Sequence, residues 1–190
     1  MTHATTEYFR SHQAVVNASM EQLAPAADAA SRALVAALVA GNKVLCFGNG
    51  GSSSQASHMA GELTGRFNKT RLPLPALSLS ADAGTVTCIS NDFGYESVFE
   101  RQIEAFAQEG DVALALTTSG KSANVIRGLK AAKARGAVTL ALTGSAGLIG
   151  ADADHLLAVP SDVTAHIQEV HLMLLHLWCL EIDAAFAAHP

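Results

Sequence analysis

Val44-Leu45-Cys46-Phe47-Gly48-Asn49-Gly50-Gly51-Ser52-Ser53-Ser54 is the stretch that decides how this chain folds. Four apolar residues run without a break into a loop of glycine, asparagine and serine. From Ser52 to Phe67 the pattern then reads as a helix. A strand that is apolar at every position is buried on both faces, which marks a parallel sheet covered by helices. The loop between strand and helix has its own chemistry. A helix N-terminus offers unpaired N–H groups and about half a positive charge. Glycine lets that backbone approach a ligand closely, and serine hydroxyls add donors for phosphate oxygens.

The same arrangement recurs downstream. Val112-Ala113-Leu114-Ala115-Leu116 is followed by Thr117-Thr118-Ser119-Gly120-Lys121-Ser122 and then by a helical stretch, Ala123 to Ala134. Two such loops point to a phosphorylated small molecule. The first is not a dinucleotide fingerprint, because Ser53 stands where the third glycine belongs, and it is not a P-loop, because no Gly-Lys-Ser/Thr closes it.

Further strands are expected at Ala76–Leu79, Val138–Leu142 and His155–Val159, with helices at Ala83–Ser90, Ser97–Gln108 and Ala165–Ala187. Residues 5–40 read as helical, with Pro25 expected to break or bend them. The alternation predicts an α/β fold: a doubly wound, five-stranded parallel sheet flanked by helices, with ligands at the carboxyl ends of the strands. At 190 residues the chain reads as one domain, a helical region 1–41 leading into an α/β core 42–190.

Composition excludes several classes. The net charge of −5 and scattered basic residues argue against nucleic acid; the loosest cluster, Lys130, Lys133 and Arg135, reads as a solvated helix face. Charge or glycine interrupts every apolar run before 18 residues, so no membrane span is expected. The N-terminus lacks a signal-peptide core. Three cysteines, Cys46, Cys88 and Cys179, sit in apolar runs and read as buried thiols of a cytoplasmic protein rather than disulfides.

Two helices carry the candidate chemistry. His58 and Glu62 stand one turn apart on one face, a spacing that suits a shared metal or an imidazole-held carboxylate as well as a plain polar face. The closing helix carries Gln168, Glu169, His171 and His176 on a largely apolar background. Gln168 and His176 share a face but lie about 12 Å apart along the axis. To serve one site they must lean together or come from different subunits. Asn91-Asp92-Phe93-Gly94-Tyr95 alone reads as an Asx-type turn.

Taken in order, these residues resemble a known family. Gly48-Asn49-Gly50-Gly51-Ser52, His58 through Glu62-Leu63, Asn91-Asp92-Phe93-Gly94-Tyr95, Thr118-Ser119-Gly120-x-Ser122-Ala123-Asn124-Val125-Ile126, Leu142-Thr143-Gly144 and Ile167-Gln168-Glu169-x-His171 are similar to the sugar-isomerase (SIS) domain family. Within it they resemble the subgroup that isomerises heptose 7-phosphates, over nearly the whole chain. The resemblance implies a homotetramer with active sites at subunit interfaces and N-terminal helices used in assembly. It implies isomerisation of sedoheptulose 7-phosphate to D-glycero-D-manno-heptose 7-phosphate, a step toward lipopolysaccharide heptose. Phosphate contacts would fall to Ser52, Thr117, Thr118, Ser119 and Ser122. Sugar contacts would fall to Asn49, Gly50, Gly51, Asn91, Asp92 and Gln168. A zinc ion would be held by His58, Glu62, Gln168 and His176, with Glu62 and His176 as the acid/base pair.

The pattern departs from the subgroup at Thr117, Gly61, Ala165 and Gly147 without removing a proposed catalytic group. Two other readings follow from relatives of the same fold. One is a non-catalytic partner of the bacterial replication initiator; the other is an isomerase or sensor for another sugar phosphate. The complete acid/base and metal set favours the enzyme.

Overall fold

The computed structural model describes residues 3–186. Helix α1 (Ala4–Val39) leads into strand β1 (Val44–Gly48), helix α2 (Gly51–Thr64), β2 (Ala76–Ser78), α3 (Ala83–Phe93) and α4 (Val98–Phe106). Strand β3 (Val112–Thr117), α5 (Ala123–Ala134), β4 (Val138–Thr143), β5 (His155–Ala158) and α6 (Thr164–Phe186) complete the chain. The expected end of the last helix, Ala187, lies outside the described residues. The five strands form one parallel sheet in the order β2-β1-β3-β4-β5.

Strand side chains alternate between the two faces, and two cores result. Cys46, Leu114, Leu116 and Leu142 face a layer built from α1, α2 and α6, in which Trp178 is fully buried. Leu45, Phe47, Ala113 and Ala115 face the layer of α3, α4 and α5. The chain winds to β2 on one side of β1 and to β3 on the other. The sheet therefore reverses direction between β1 and β3, the point where such folds open a crevice for ligands. Gly48 pairs with Leu116 in register, so the two glycine- and serine-rich loops leave the sheet side by side.

Three expectations change. Pro25 does not break the N-terminal helix, which runs through it for 36 residues. A proline in a helix interior costs about 3 kcal/mol, and burial of Leu23, Ala27, Ala30, Leu34 and Leu38 offsets it. Trp178 also donates its indole N–H to the Ala27 carbonyl, two residues past the proline, at 3.1 Å. The Asn91–Tyr95 segment is not an Asx turn: Asn91 and Asp92 belong to the last turn of α3, which ends at Gly94 with φ +85°. Of the three cysteines, Cys46 and Cys179 are buried but Cys88, on α3, is exposed.

Candidate active site

The two loops build one cleft at the ends of β1 and β3. Asn49, Ser52, Thr117, Thr118, Ser119, Ser122 and Gln168 line it, together with Thr164. The first turn of α2 opens onto it, so a helix N-terminus and several hydroxyls face the same space, a ready arrangement for a phosphate. The second loop is held by its own hydroxyls: the Gly120 N–H donates to Thr117 Oγ1 at 3.2 Å, and the Lys121 N–H to Ser119 Oγ at 3.4 Å. Gly120 has φ +65°, and a Cβ there would sit 1.7 Å from the Gly147 carbonyl oxygen, so no other residue fits. Gly51 makes room for a neighbouring side chain. A Cβ would lie 2.6 Å from Gln168 Nε2, which means that Gln168 rests directly against the first loop. Gly50 lines an adjoining cleft with Ser80 and Tyr95. Asn91 and Asp92 are exposed on α3 and bond to each other at 2.8 Å rather than lining this chain's cleft.

Asn124 was not singled out as a site residue, yet it locks the two loops together. Asn49 Nδ2 donates to Asn124 Oδ1 at 2.9 Å, and Asn124 Nδ2 returns a bond to Asn49 Oδ1 at 2.8 Å. The Tyr95 hydroxyl adds a second donor to Asn49 Oδ1 at 2.9 Å. The available signal was an asparagine in a helix first turn between apolar residues, a poor helix former that seeks a partner.

The acid/base and metal candidates lie further along α2. His58 Nε2 is 3.0 Å from His176 Nε2, and Glu62 Oε1 is 3.5 Å from His58 Nε2. Phe67 stacks on the His176 ring, with centroids 5.4 Å apart. Two imidazole nitrogens and a carboxylate oxygen are donors that zinc accepts, and both Glu62 and His176 lie within 3.5 Å of His58 Nε2, although the three donor atoms do not all come within 4.8 Å of one another. Gln168 is not brought to them. Its side chain stays at the Gly51 end of α6, about 12 Å along the axis from His176.

A buried ion pair holds this second group in place. Arg71 Nε donates to Asp183 Oδ1 at 2.9 Å, and both side chains are almost wholly buried. The backbone N–H groups of Asn68 and Lys69 donate to Asp183 Oδ2, each at 2.8 Å. Arg71 also donates to the carbonyls of Glu62 and Leu63. The end of α2 that carries Glu62 is thereby tied to the end of α6 beyond His176. Burial pushes the Asp183 carboxyl up, but those backbone donors and Arg71 outweigh it and hold the group below the ordinary range.

His171 plays a structural part. It is fully buried, and its Nε2–H donates to the Thr143 carbonyl at 3.1 Å, tying α6 to the end of β4. Burial lowers its pKa from 6.5 to about 4, with the Thr143 bond acting in the opposite direction. The unfolded chain therefore takes up a proton that the folded chain refuses between those values. Stability is full above pH 6.5 and falls as the pH drops toward 4. The expected loss totals about 3 kcal/mol across the window. Urea unfolding at pH 7.5 and pH 5 checks it. His171→Gln, which cannot titrate, should lose less stability between those pH values than the natural chain; equal losses would contradict the account.

Comparison with known proteins fits this geometry. Residues 7–144 match the SIS domain model. A phosphoheptose isomerase of Aquifex aeolicus is 52% identical over 147 residues, 77% of each chain. One from Bordetella avium is 42% identical over 188 residues, 97% of this chain and 95% of the relative. The solved structure of a phosphoheptose isomerase from Francisella tularensis superposes with a TM-score of 0.89 at 34% identity, covering 95% of this chain and 96% of that one. Among the described residues, no helix is long and apolar enough to cross a membrane.

Proposed function

The chain belongs to the SIS domain family, among its phosphoheptose isomerases, and from that premise we propose how its residues convert sedoheptulose 7-phosphate to D-glycero-D-manno-heptose 7-phosphate, a precursor of lipopolysaccharide heptose. The observation that carries the reading is the grouping of His58 and Glu62, on the helix whose N-terminus opens onto the hydroxyl-rich cleft, with His176 of α6. Ser52, Thr117, Thr118, Ser119 and Ser122 hold the phosphate. Asn49, Gly50, Gly51, Gln168, Asn91 and Asp92 serve the sugar hydroxyls. Aldose–ketose isomerisation moves a proton between two carbons through an enediol and a second proton between two oxygens. Glu62 takes and returns the carbon-bound proton, and His176 serves the oxygens. A zinc ion held by His58, Glu62 and His176 would supply Lewis acidity toward the carbonyl. In that arrangement Gln168 completes the ligand set only across a subunit boundary.

The spacing supports a site shared between subunits. Ser52 and Glu62 are about 15 Å apart along α2, more than the extended carbon chain of a seven-carbon sugar. The phosphate end of one subunit thus works with the proton-transfer end of another, in a homotetramer. An apolar groove between α1 and α6, lined by Val16, Met20, Val170, Met173 and Leu177, offers the N-terminal helical region 1–41 a surface for assembly. The test is turnover of sedoheptulose 7-phosphate with and without zinc, the aldose followed by NMR. Product is expected, with more of it in the zinc-loaded sample. An assembled protein that yields none in either condition would overturn the reading.

A further inference from the structure

Among the described residues, the one group of three His, Cys, Asp or Glu side chains whose donor atoms converge within 4.8 Å lies away from that site: His12, His166 and Glu169. We propose that these three residues form a second divalent-cation site at the seam between α1 and α6, for a borderline ion such as Zn²⁺, Co²⁺ or Ni²⁺. His166 and His176 are about 15 Å apart along α6, so the two groups cannot share an ion.

The hydrogen bonding carries the argument. The Ser11 hydroxyl donates to the Tyr8 carbonyl at 2.9 Å, so its oxygen is left to accept. His166 Nε2 lies 3.0 Å from that oxygen and therefore carries the proton toward it. The other ring nitrogen, Nδ1, faces Glu169 Oε2 at 3.0 Å. On a neutral ring that nitrogen is a lone pair directed at a carboxylate oxygen, an arrangement that a second ring proton or a bound cation between them resolves. His12 Nδ1 sits 2.8 Å from the same oxygen, yet it is buried and makes no hydrogen bond, because its N–H direction misses the oxygen. Two nitrogens and one oxygen thus lie within 4.8 Å of one another, close enough for one ion to replace these pairings.

The surroundings suit an ion as well. The Tyr8 hydroxyl donates to the remaining oxygen, Oε1, at 2.5 Å and fixes the carboxylate. Ser11 fixes the His166 tautomer, the kind of outer support that metal-ligating histidines use. Two imidazoles and one carboxylate leave coordination positions open to water, and the set matches borderline divalent ions rather than Ca²⁺ or Mg²⁺. The donor spacings of 2.8 and 3.0 Å need to widen only slightly toward the about 3.3 Å of a tetrahedral site.

The experiment is Co²⁺ titration of the metal-stripped full chain, read by visible d–d absorption and by calorimetric stoichiometry. The natural chain is expected to hold one ion that survives His58→Ala and is lost in His12→Phe, which keeps the ring and removes its nitrogens. Ser11→Ala should weaken that ion about tenfold. Far-UV circular dichroism and assembled size establish that the variants fold, and Glu169→Gln replaces His12→Phe if the latter does not. Binding that disappears wholly with His58→Ala, or that His12→Phe leaves unchanged, would overturn the proposal and leave His166–Glu169 as a simple ion pair. The readout is independent of turnover, so failure of the isomerase reading and failure of this one are distinguishable.

Discussion

Glu62→Gln should lower turnover of sedoheptulose 7-phosphate by about 10²–10⁴-fold, the usual contribution of a positioned general base, while sugar-phosphate binding stays within a few-fold. The amide keeps the shape of the side chain and its place one turn from His58, but it cannot accept the carbon-bound proton. The phosphate cleft is built from other residues, about 15 Å away along the helix, so affinity should persist. Binding measured by calorimetry and turnover measured by NMR separate the two effects. Metal content must be measured on the same sample, because Glu62 is also a proposed ligand. A variant that retains its metal, binds substrate and turns over at the natural rate would remove Glu62 from the mechanism.

The largest expected stability effect lies at Asp183. Asp183→Ala leaves the Arg71 guanidinium buried without its partner and orphans the N–H groups of Asn68 and Lys69. Removing one member of a buried pair costs about 3–5 kcal/mol, on the order of 10 °C in Tm for a chain of this size. Thermal or urea unfolding at fixed protein concentration measures it. Replacing both partners by apolar residues, Arg71→Met with Asp183→Leu, should recover only the part of the loss due to the unpaired charge, since the Asn68 and Lys69 N–H groups and the carbonyls of Glu62, Leu63 and Leu72 lose their partners. A single variant within 1 kcal/mol of the natural chain would show that the pair is not what holds α2 to α6. The pH dependence has a defined sign. The folded carboxyl is held below its ordinary value of 3.8, so the contribution is present above that value and disappears as the pH falls through the lower folded one.

The sheet was legible because its strands announce themselves. Val44–Phe47 and Val112–Leu116 are apolar at every position, and only a strand covered on both faces requires that. The hydroxyl-lined cleft was legible for a related reason: glycine and hydroxyl clusters follow those same strands, and parallel topology puts such loops at one edge. Pro25 misled because local propensity ignores the buried stripe that holds α1 on α6. The Asn91–Tyr95 stretch misled because Asn and Asp favour turns in isolation, whereas here they occupy a final helical turn before a glycine stop. Asn124, the Arg71–Asp183 pair and the His12–His166–Glu169 convergence each join residues far apart in sequence. Spacing along a helix shows which residues share a face but not what the face meets. For the same reason Gln168 and His176 read as co-facial while the structure seats one against Gly51 and the other against His58.

The length of α2 also bears on the molecularity that the proposed mechanism demands. A loop can fold back to bring two groups together, but the two ends of one helix stay apart whatever the rest of the chain does. On the proposed mechanism, with phosphate capture at one end and proton transfer at the other, an isolated subunit would own two half-sites and no whole one. Specific activity would then be a function of protein concentration, expected to fall on dilution below the assembly constant even though every chain remains folded.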